Sequence, residues 1–419
     1  MSSNELHITV TRLGTRGDGI ATLATGETLY IPFSAPGDRL NVSVGARRGN
    51  GRMGYIREIF EAADSRTEPV CPHFGDCGGC TLQHLQEQTI ADIKKNNLID
   101  TLRRHGLDTD IVTATVTISP GRRRRAEFAL FGGKKPTLGL HAVRSQKIVN
   151  LLECAVLIPN ISILLPDLRE LSHSAGLGDI ADDIRITETD SGIDMLLISK
   201  DSQETGPDCR QKLATFAETH NLARIGRADR YGTEPLVLRR RPTLKLGGAV
   251  LNLPERYFLQ PSNDGEKVIA DLIGQAIFDG ANIADLYSGL CSLSFPLADK
   301  AKVTAFEFDE AMVNAANRAA NGQSLSAEQR NLVRSPLTVR ELDHFDAVIF
   351  DPPKAGARHQ ASNLARSAVP TIVAVSCNPN SMARDLRILS AGGYRIERIT
   401  PVDQFTWSSE LEAVAILRR

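Results

Sequence analysis

The spacing of apolar positions along this 419-residue chain changes twice, and each change marks a different kind of structure. In the first sixty residues, LHITVTRLG, ETLYIPF and RLNVSVGAR read as strands separated by Gly-rich and Pro-containing turns, and a small barrel is their natural closure. From about 61 to about 250 the pattern is less regular. Leu85, Ile90, Ile93, Leu98 and Leu102, with Gly106 as terminator, predict one amphipathic helix, and AEFALFGG, KPTLGLHAV and IDMLLISK read as strands. From about 250 onward, the apolar runs NIADLYS, KVTAFEF, FDAVIFD and TIVAVS alternate with the helical stretches GEKVIADLIGQAI, AMVNAANRAAN and SMARDLRILSAGG. Such alternation predicts a parallel sheet with helices on both faces. YRIERITPV and LEAVAILRR have no helix between them and are expected to close the sheet as an antiparallel pair. The expected fold is a multidomain α/β chain: a small β-barrel over 1–60, an α+β central domain over 61–250 and a Rossmann-like domain over 251–419.

Length and 42% hydrophobic content fit a globular protein of two or three domains. No apolar stretch approaches membrane-spanning length, and MSSNELHITV lacks the basic-then-apolar layout of an export signal. A cytoplasmic monomer without membrane contact is the expectation. Lys and Arg total 49 against 50 for Asp and Glu, so any nucleic-acid contact must come from local patches. Three exist: Arg47, Arg48, Arg52 and Arg57; the run Arg122 to Arg125; and Arg239 to Arg241. Each is either a solvated face or part of a phosphate-binding surface.

Seven cysteines in a cytosolic chain point to metal or catalysis before disulfides. Cys71, Cys77 and Cys80 fall within ten residues in the Gly-rich CPHFGDCGGC, a loop that lets three sulfurs converge. Cys154 is the best fourth ligand, because a distant thiolate commonly completes a four-cysteine iron–sulfur site. Four thiolates also suit zinc; the uneven spacing with a single CxxC pair favours a 4Fe-4S cluster.

In the C-terminal part, ADLYSGLCS carries a strand with Asp285 near its end into a Gly-containing loop, and Glu307 ends the next strand 22 residues on. That is the layout of a nucleotide-binding α/β unit, in which an acidic side chain meets ribose hydroxyls. Asp351 follows a fully apolar strand, and Pro352 and Pro353 then stiffen the loop. Cys377 leaves the run Thr371–Val375 in the turn SCNPNS, which sets a thiol at the mouth of the same crevice.

These motifs carry a resemblance. The TRAM-like phrase GDGIATLATGETLYIPFSAPGD, the cysteine cluster, DLYSG, FEFDEAMVNAANRAA, DPPKAG, SCNPNSMARDL and LEAVAIL together resemble the bacterial S-adenosylmethionine-dependent RNA uridine-5-methyltransferases over essentially the whole chain. The branch with both a TRAM module and a cluster looks most like the 23S ribosomal RNA enzymes. The resemblance implies Cys377 as the nucleophile that adds to uracil C6, and Glu412, with Glu410 as competitor, as the base that removes the C5 proton. It implies Gln260, Tyr287, Ser292, Glu307 and Asp351 as contacts of S-adenosylmethionine. Ser376 and Asn378 either meet the uracil edge or shape the turn. The target must be an unpaired or flipped uridine. A transfer RNA substrate, or an RNA-binding assembly factor without chemistry, are the alternatives. Ser288, Cys291, Lys354, Ser381 and Glu410 depart from the family pattern, and a side chain at Cys291 is expected either to crowd the cofactor or to demand a shifted backbone.

Overall fold

The computed structural model describes residues 5–133, 135–199 and 204–419. The N-terminal strands form a six-stranded sheet in the order Glu5–Thr9, Arg39–Arg48, Gly51–Glu61, Thr28–Ile31, Gly19–Thr22, Arg12–Leu13. Its two edge strands are joined only by Val10 and Thr11, so the sheet must curl until its edges approach each other. Val10, Leu29, Ile31, Leu40 and Val42 fill the inside of the curl. Two of its strands carry weak apolar signals. Gly19–Thr22 is only four residues long, and the exposed Arg57, Glu58 and Glu61 dilute the pattern of Gly51–Glu61.

The middle of the chain forms a seven-stranded sheet in the order Ile148–Asn150, Thr137–His141, Arg125–Phe131, Asp183–Thr189, Gly192–Ile198, Arg224–Ala228, Thr233–Leu238. Every pairing is antiparallel except that of Gly192–Ile198 with Arg224–Ala228. Leu165, Leu168 and Leu171 of the helix Leu165–Ser174, and Leu213, Phe216 and Ala217 of the helix Pro207–Thr219, share one core with Phe128, Ile184 and Met195 from the strands.

The third sheet has eight strands in the order Leu325–Gln329, Lys302–Glu307, Asn282–Leu286, Ala347–Phe350, Thr371–Ser376, Glu412–Arg418, Arg395–Asp403, Val116–Thr117. The first five run parallel, and Glu412–Arg418 is antiparallel to both of its neighbours. The expected alternation and the closing antiparallel pair are therefore present. The chain enters this sheet much earlier than 251. Helix Glu87–Arg104 buries Leu98 and Leu102 among Met382, Leu386 and Ile399. Its Lys94 Nζ meets Asp403 Oδ1 at 2.5 Å with both side chains almost fully buried. Removing one partner of such a pair costs about 3–5 kcal/mol, since the other charge is left buried alone. Val116–Thr117 then adds in parallel to Val402 and Asp403. The hairpin of Thr243–Leu246 and Ala249–Asn252, which straddles 250, packs into the core on the other face of this sheet, with Ile283, Val303 and Ile349. Among the described residues no helix is long and apolar enough to cross a membrane.

Candidate active site

Register aligns the predicted residues along one edge of the eight-stranded sheet. Leu286 lies opposite both Phe306 and Phe350, and Phe350 lies opposite Ala374, so Tyr287, Glu307, Asp351 and Cys377 all emerge at the carboxyl ends of parallel strands. Strand order reverses between Asn282–Leu286 and Ala347–Phe350, the kind of switch point where open α/β sheets form their ligand crevice. The antiparallel pair Ser376–Ala413 brings Glu412, the first residue of its strand, across from Cys377.

The turn that presents the thiol is stitched to the loop after Asp351. Asn378 caps helix Pro379–Ala391 through its side-chain oxygen, which accepts from Asn380 N at 3.1 Å. Its Nδ2 donates to the Lys354 carbonyl at 2.8 Å, and Ser381 Oγ donates to the same carbonyl at 3.1 Å. Ser376 Oγ accepts from Asn378 N at 3.2 Å. Of the two readings for Ser376 and Asn378, these contacts are those of turn shaping. Gly356 sits at φ +74°, and a Cβ there would lie 2.6 Å from Asp385 Oδ2, so only glycine fits this close approach.

The electrostatics of this edge are strongly acidic. Burial first, then the carboxylates of Glu412 and Asp351, push the Cys377 thiol up to about 11, and the Lys354 ammonium opposes them. Lys354 Nζ is 3.0 Å from Glu410 Oε2, an exposed pair that joins two of the departures from the family pattern. Glu412 is 4% exposed, and burial followed by the Asp351 charge holds its carboxyl well above the usual range. Burial and the neighbouring Asp285 raise Asp351 to about 7. Asp285 rises likewise to about 7, chiefly through burial, against the pull of the Ser294 hydroxyl that donates to it.

Sequence reasoning missed Gln404. This buried side chain donates from one Nε2 to Gln260 Oε1 at 2.9 Å and to Glu412 Oε2 at 3.2 Å, which links the predicted base to the YFLQPSN segment. It lies in the connection between the two antiparallel strands, where no motif marks it. Gln260 is itself buried, and its carbonyl accepts from Arg124 Nε at 3.1 Å. Glu307 receives backbone N–H groups from Gly289 at 2.9 Å, Phe308 at 2.7 Å and Asp309 at 2.9 Å. A carboxylate offers about four lone-pair sites, so roughly one is left for a ligand hydroxyl. Tyr287 ends its strand at φ +65° with its ring edge-on to Phe350, and Ser292 is half-buried beyond Gly289. Cys291 answers the question its position raised. Its side chain is fully buried and packs with the apolar core, and the backbone takes the left-handed conformation at φ +58°. The backbone shift is present, at a conformational cost of about 1–2 kcal/mol.

Cys71, Cys77, Cys80 and Cys154 line one small cavity together with Leu140 and Leu151. All four are free thiols. Burial, reinforced by the other three sulfurs, raises Cys80 to about 12, and burial raises Cys154 to about 11. Among the described residues no three His, Cys, Asp or Glu side chains stand as a ready site for a single ion. Two of the arginine runs are largely spent on internal contacts. Arg124 is buried with its Nη2 3.0 Å from Glu266 Oε2, Arg122 faces Asp264 at 3.4 Å, and Arg239 and Arg240 both donate to Asn221.

The profile of the family described as tRNA (Uracil-5-)-methyltransferase matches residues 249–419. An uncharacterized RNA methyltransferase of Brucella suis is 36% identical over 100% of this chain and 99% of its own. The 23S rRNA (uracil(1939)-C(5))-methyltransferase of Halomonas elongata is 30% identical over 99% of this chain and 90% of its own. In fold, the chain matches the tRNA (uracil-54, C5)-methyltransferase of Pyrococcus abyssi, solved in complex with S-adenosyl-L-homocysteine, with a TM-score of 0.76 over 100% of both chains at 24% identity. The class is thus an α/β RNA methyltransferase with a multidomain fold. The chain belongs to the RNA uracil-5-methyltransferase family and is an RNA (uracil-5-)-methyltransferase.

Proposed function

We propose that this enzyme methylates C5 of a uridine in 23S ribosomal RNA, with S-adenosylmethionine as methyl donor. The observation that carries the mechanism is the register that sets the Cys377 thiol across from Glu412. Uracil C5 is a poor nucleophile until a thiolate adds to C6. The Cys377 sulfur forms that bond, the C5–C6 π electrons move to C5 and O4, and C5 takes the methyl group while the donor leaves as the neutral thioether. The Glu412 carboxylate then removes the C5 proton, the C5–C6 double bond re-forms, and the thiolate is expelled. Gln404 orients Glu412, and the Lys354 ammonium favours the Cys377 thiolate.

Gln260, Tyr287, Ser292, Glu307 and Asp351 hold the donor in the crevice, with Glu307 toward ribose hydroxyls and Asp351 toward the sulfonium end. A carboxyl that burial raises to about 7 ionises readily beside a fixed positive charge, which suits Asp351 to that place. Cys71, Cys77, Cys80 and Cys154 hold a 4Fe-4S cluster, zinc being the alternative. Four thiols on one cavity support a four-cysteine site, and the uneven spacing with a single CxxC pair favours the cluster. The group serves as a structural brace here, since methyl transfer needs no electron.

The Halomonas relative, a 23S rRNA enzyme, supports ribosomal RNA as substrate. Deleting the gene and quantifying 5-methyluridine by mass spectrometry in separated ribosomal and transfer RNA tests this. Loss from 23S RNA alone is expected; loss confined to transfer RNA would overturn the substrate assignment.

A further inference from the structure

We infer that the crevice between the N-terminal sheet and helix Glu87–Arg104 is a phosphate-binding track for the substrate RNA strand, anchored at a fixed place relative to the active site. This rests on RNA being the substrate. The crevice encloses about 690 Å³, and five arginines line it, Arg12, Arg16, Arg48, Arg103 and Arg104, against two aspartates, Asp18 and Asp100. The chain as a whole carries a net charge of −1, so this excess of cations is local.

Internal pairing does not consume it. Asp18 is taken by Arg48 at 2.6 Å and by Arg144, and Asp100 by Arg103 at 3.1 Å. Arg104 donates only to neutral acceptors, the Asp100 carbonyl at 3.2 Å and Thr101 Oγ1 at 2.9 Å. Arg12 and Arg16 are exposed, and no carboxylate pairs with either among the described residues. Arg16 is carried on the tight turn closed by Gly17 N on the Gly14 carbonyl at 2.9 Å, which holds it out over the opening. Three guanidinium groups are therefore left facing one groove. The end of a helix accounts for cations at Arg103 and Arg104 through the helix dipole, but not for Arg12 and Arg16 on the opposite wall.

The chemistry fits phosphates and not bases. The one aromatic ring in the crevice, Tyr30, is already covered by the Arg48 guanidinium 4.9 Å from its centroid, and its hydroxyl donates to Asn50. One face of the crevice's single ring is therefore already occupied. Forked guanidinium groups match phosphate oxygens, and such contacts position a strand without reading its sequence. The two walls also differ in what they are fixed to. One belongs to the curled sheet, while the other is bolted to the eight-stranded sheet by Leu98, Leu102 and the buried Lys94–Asp403 pair. Asp403 directly precedes Gln404, which holds Glu412. A strand seated in the crevice is thereby held in register with the uridine being methylated.

The test uses the full-length protein and a short fluorescein-labelled single-stranded RNA of mixed sequence, with anisotropy followed over a range of salt concentrations. Arg12→Ala/Arg16→Ala is expected to weaken binding on the order of tenfold at low salt, and to reduce the salt slope by about 0.7 for each phosphate no longer neutralised. Arg104→Ala should act in the same direction, and KM for RNA should rise while kcat is kept. Arg395→Ala, at the far end of the eight-stranded sheet, is the control and should leave the slope unchanged. An unchanged slope in the double variant, or one no different from that of Arg395→Ala, overturns the track even if the wild type methylates uridine. Conversely, failure of the wild type to methylate uridine, with the slope change intact, would overturn the reaction and leave the track standing.

Discussion

At the scale of single residues, the site's chemistry is set first by the burial of one thiol and then by the acids around it. Glu412, Asp351 and Glu410 all raise the Cys377 thiol, and Lys354 alone lowers it, so the resting enzyme holds a protonated, poorly reactive cysteine. Only thiolate is alkylated. The rate of Cys377 alkylation by iodoacetamide in the ligand-free enzyme should therefore climb about tenfold per pH unit toward about 11. Lys354→Ala removes the opposing cation and should slow alkylation at any given pH, while Glu410→Gln should speed it. A rate that levels off below pH 8, or one that neither substitution moves, would contradict the assigned surroundings. Cys377 and Asp351 were legible because each follows an apolar run that fixes where the side chain emerges, whereas Glu412, the first residue of its strand, came from the family resemblance of LEAVAIL. Gln404 was not, because its importance lies in two long-range contacts that leave no local pattern. The destination of the Cys291 side chain was equally hidden, since it turns on the sign of one backbone dihedral.

At the scale of elements, the parallel strands could be read because they are continuously buried runs such as AVIF and TIVAVS. Leu325–Gln329 escaped notice because LSAEQ, at the edge of the sheet, buries only Leu325 and Ala327. The cysteine loop is tied to the active-site edge by a route no sequence pattern discloses. Thr81 and Leu82, immediately after Cys80, donate their N–H groups to the Trp407 carbonyl at 2.9 and 3.0 Å. Trp407 belongs to the same connection as Gln404 and Glu410. A metal group held by this loop would brace that connection, and its release should be felt at Trp407, the chain's single tryptophan. Protein purified without oxygen is expected to be brown and to contain iron and sulfide, and chelation should red-shift its tryptophan emission. Colourless protein with one zinc per chain would replace the assigned cluster, and an emission unmoved by metal loss would contradict the brace.

At the scale of the whole molecule, three segments distant in sequence meet in one small core. Leu13 and Ala35 come from the N-terminal sheet, Leu82, Leu85 and Ile90 from the cysteine loop and the helix after it, and Trp407 from the connection beside the active site. The alternation of apolar positions announced three regions, but not that helix Glu87–Arg104 leaves its sequence neighbours to pack on the C-terminal sheet. Its buried Lys94 finds its partner 309 residues away, beyond the reach of any local pattern. This shared packing gives the N-terminal sheet, the cysteine loop and the candidate active-site edge one frame. The adduct between enzyme and RNA tests the account most directly. With the base removed, Glu412→Gln should add to uracil C6 and transfer the methyl group but fail to eliminate. Incubated with S-adenosylmethionine and ribosomal RNA, it should accumulate a protein–RNA species stable in denaturing gels, and Cys377→Ala/Glu412→Gln should accumulate none. Methyl transfer that persists in Cys377→Ala, or an adduct that forms without Cys377, would contradict the account.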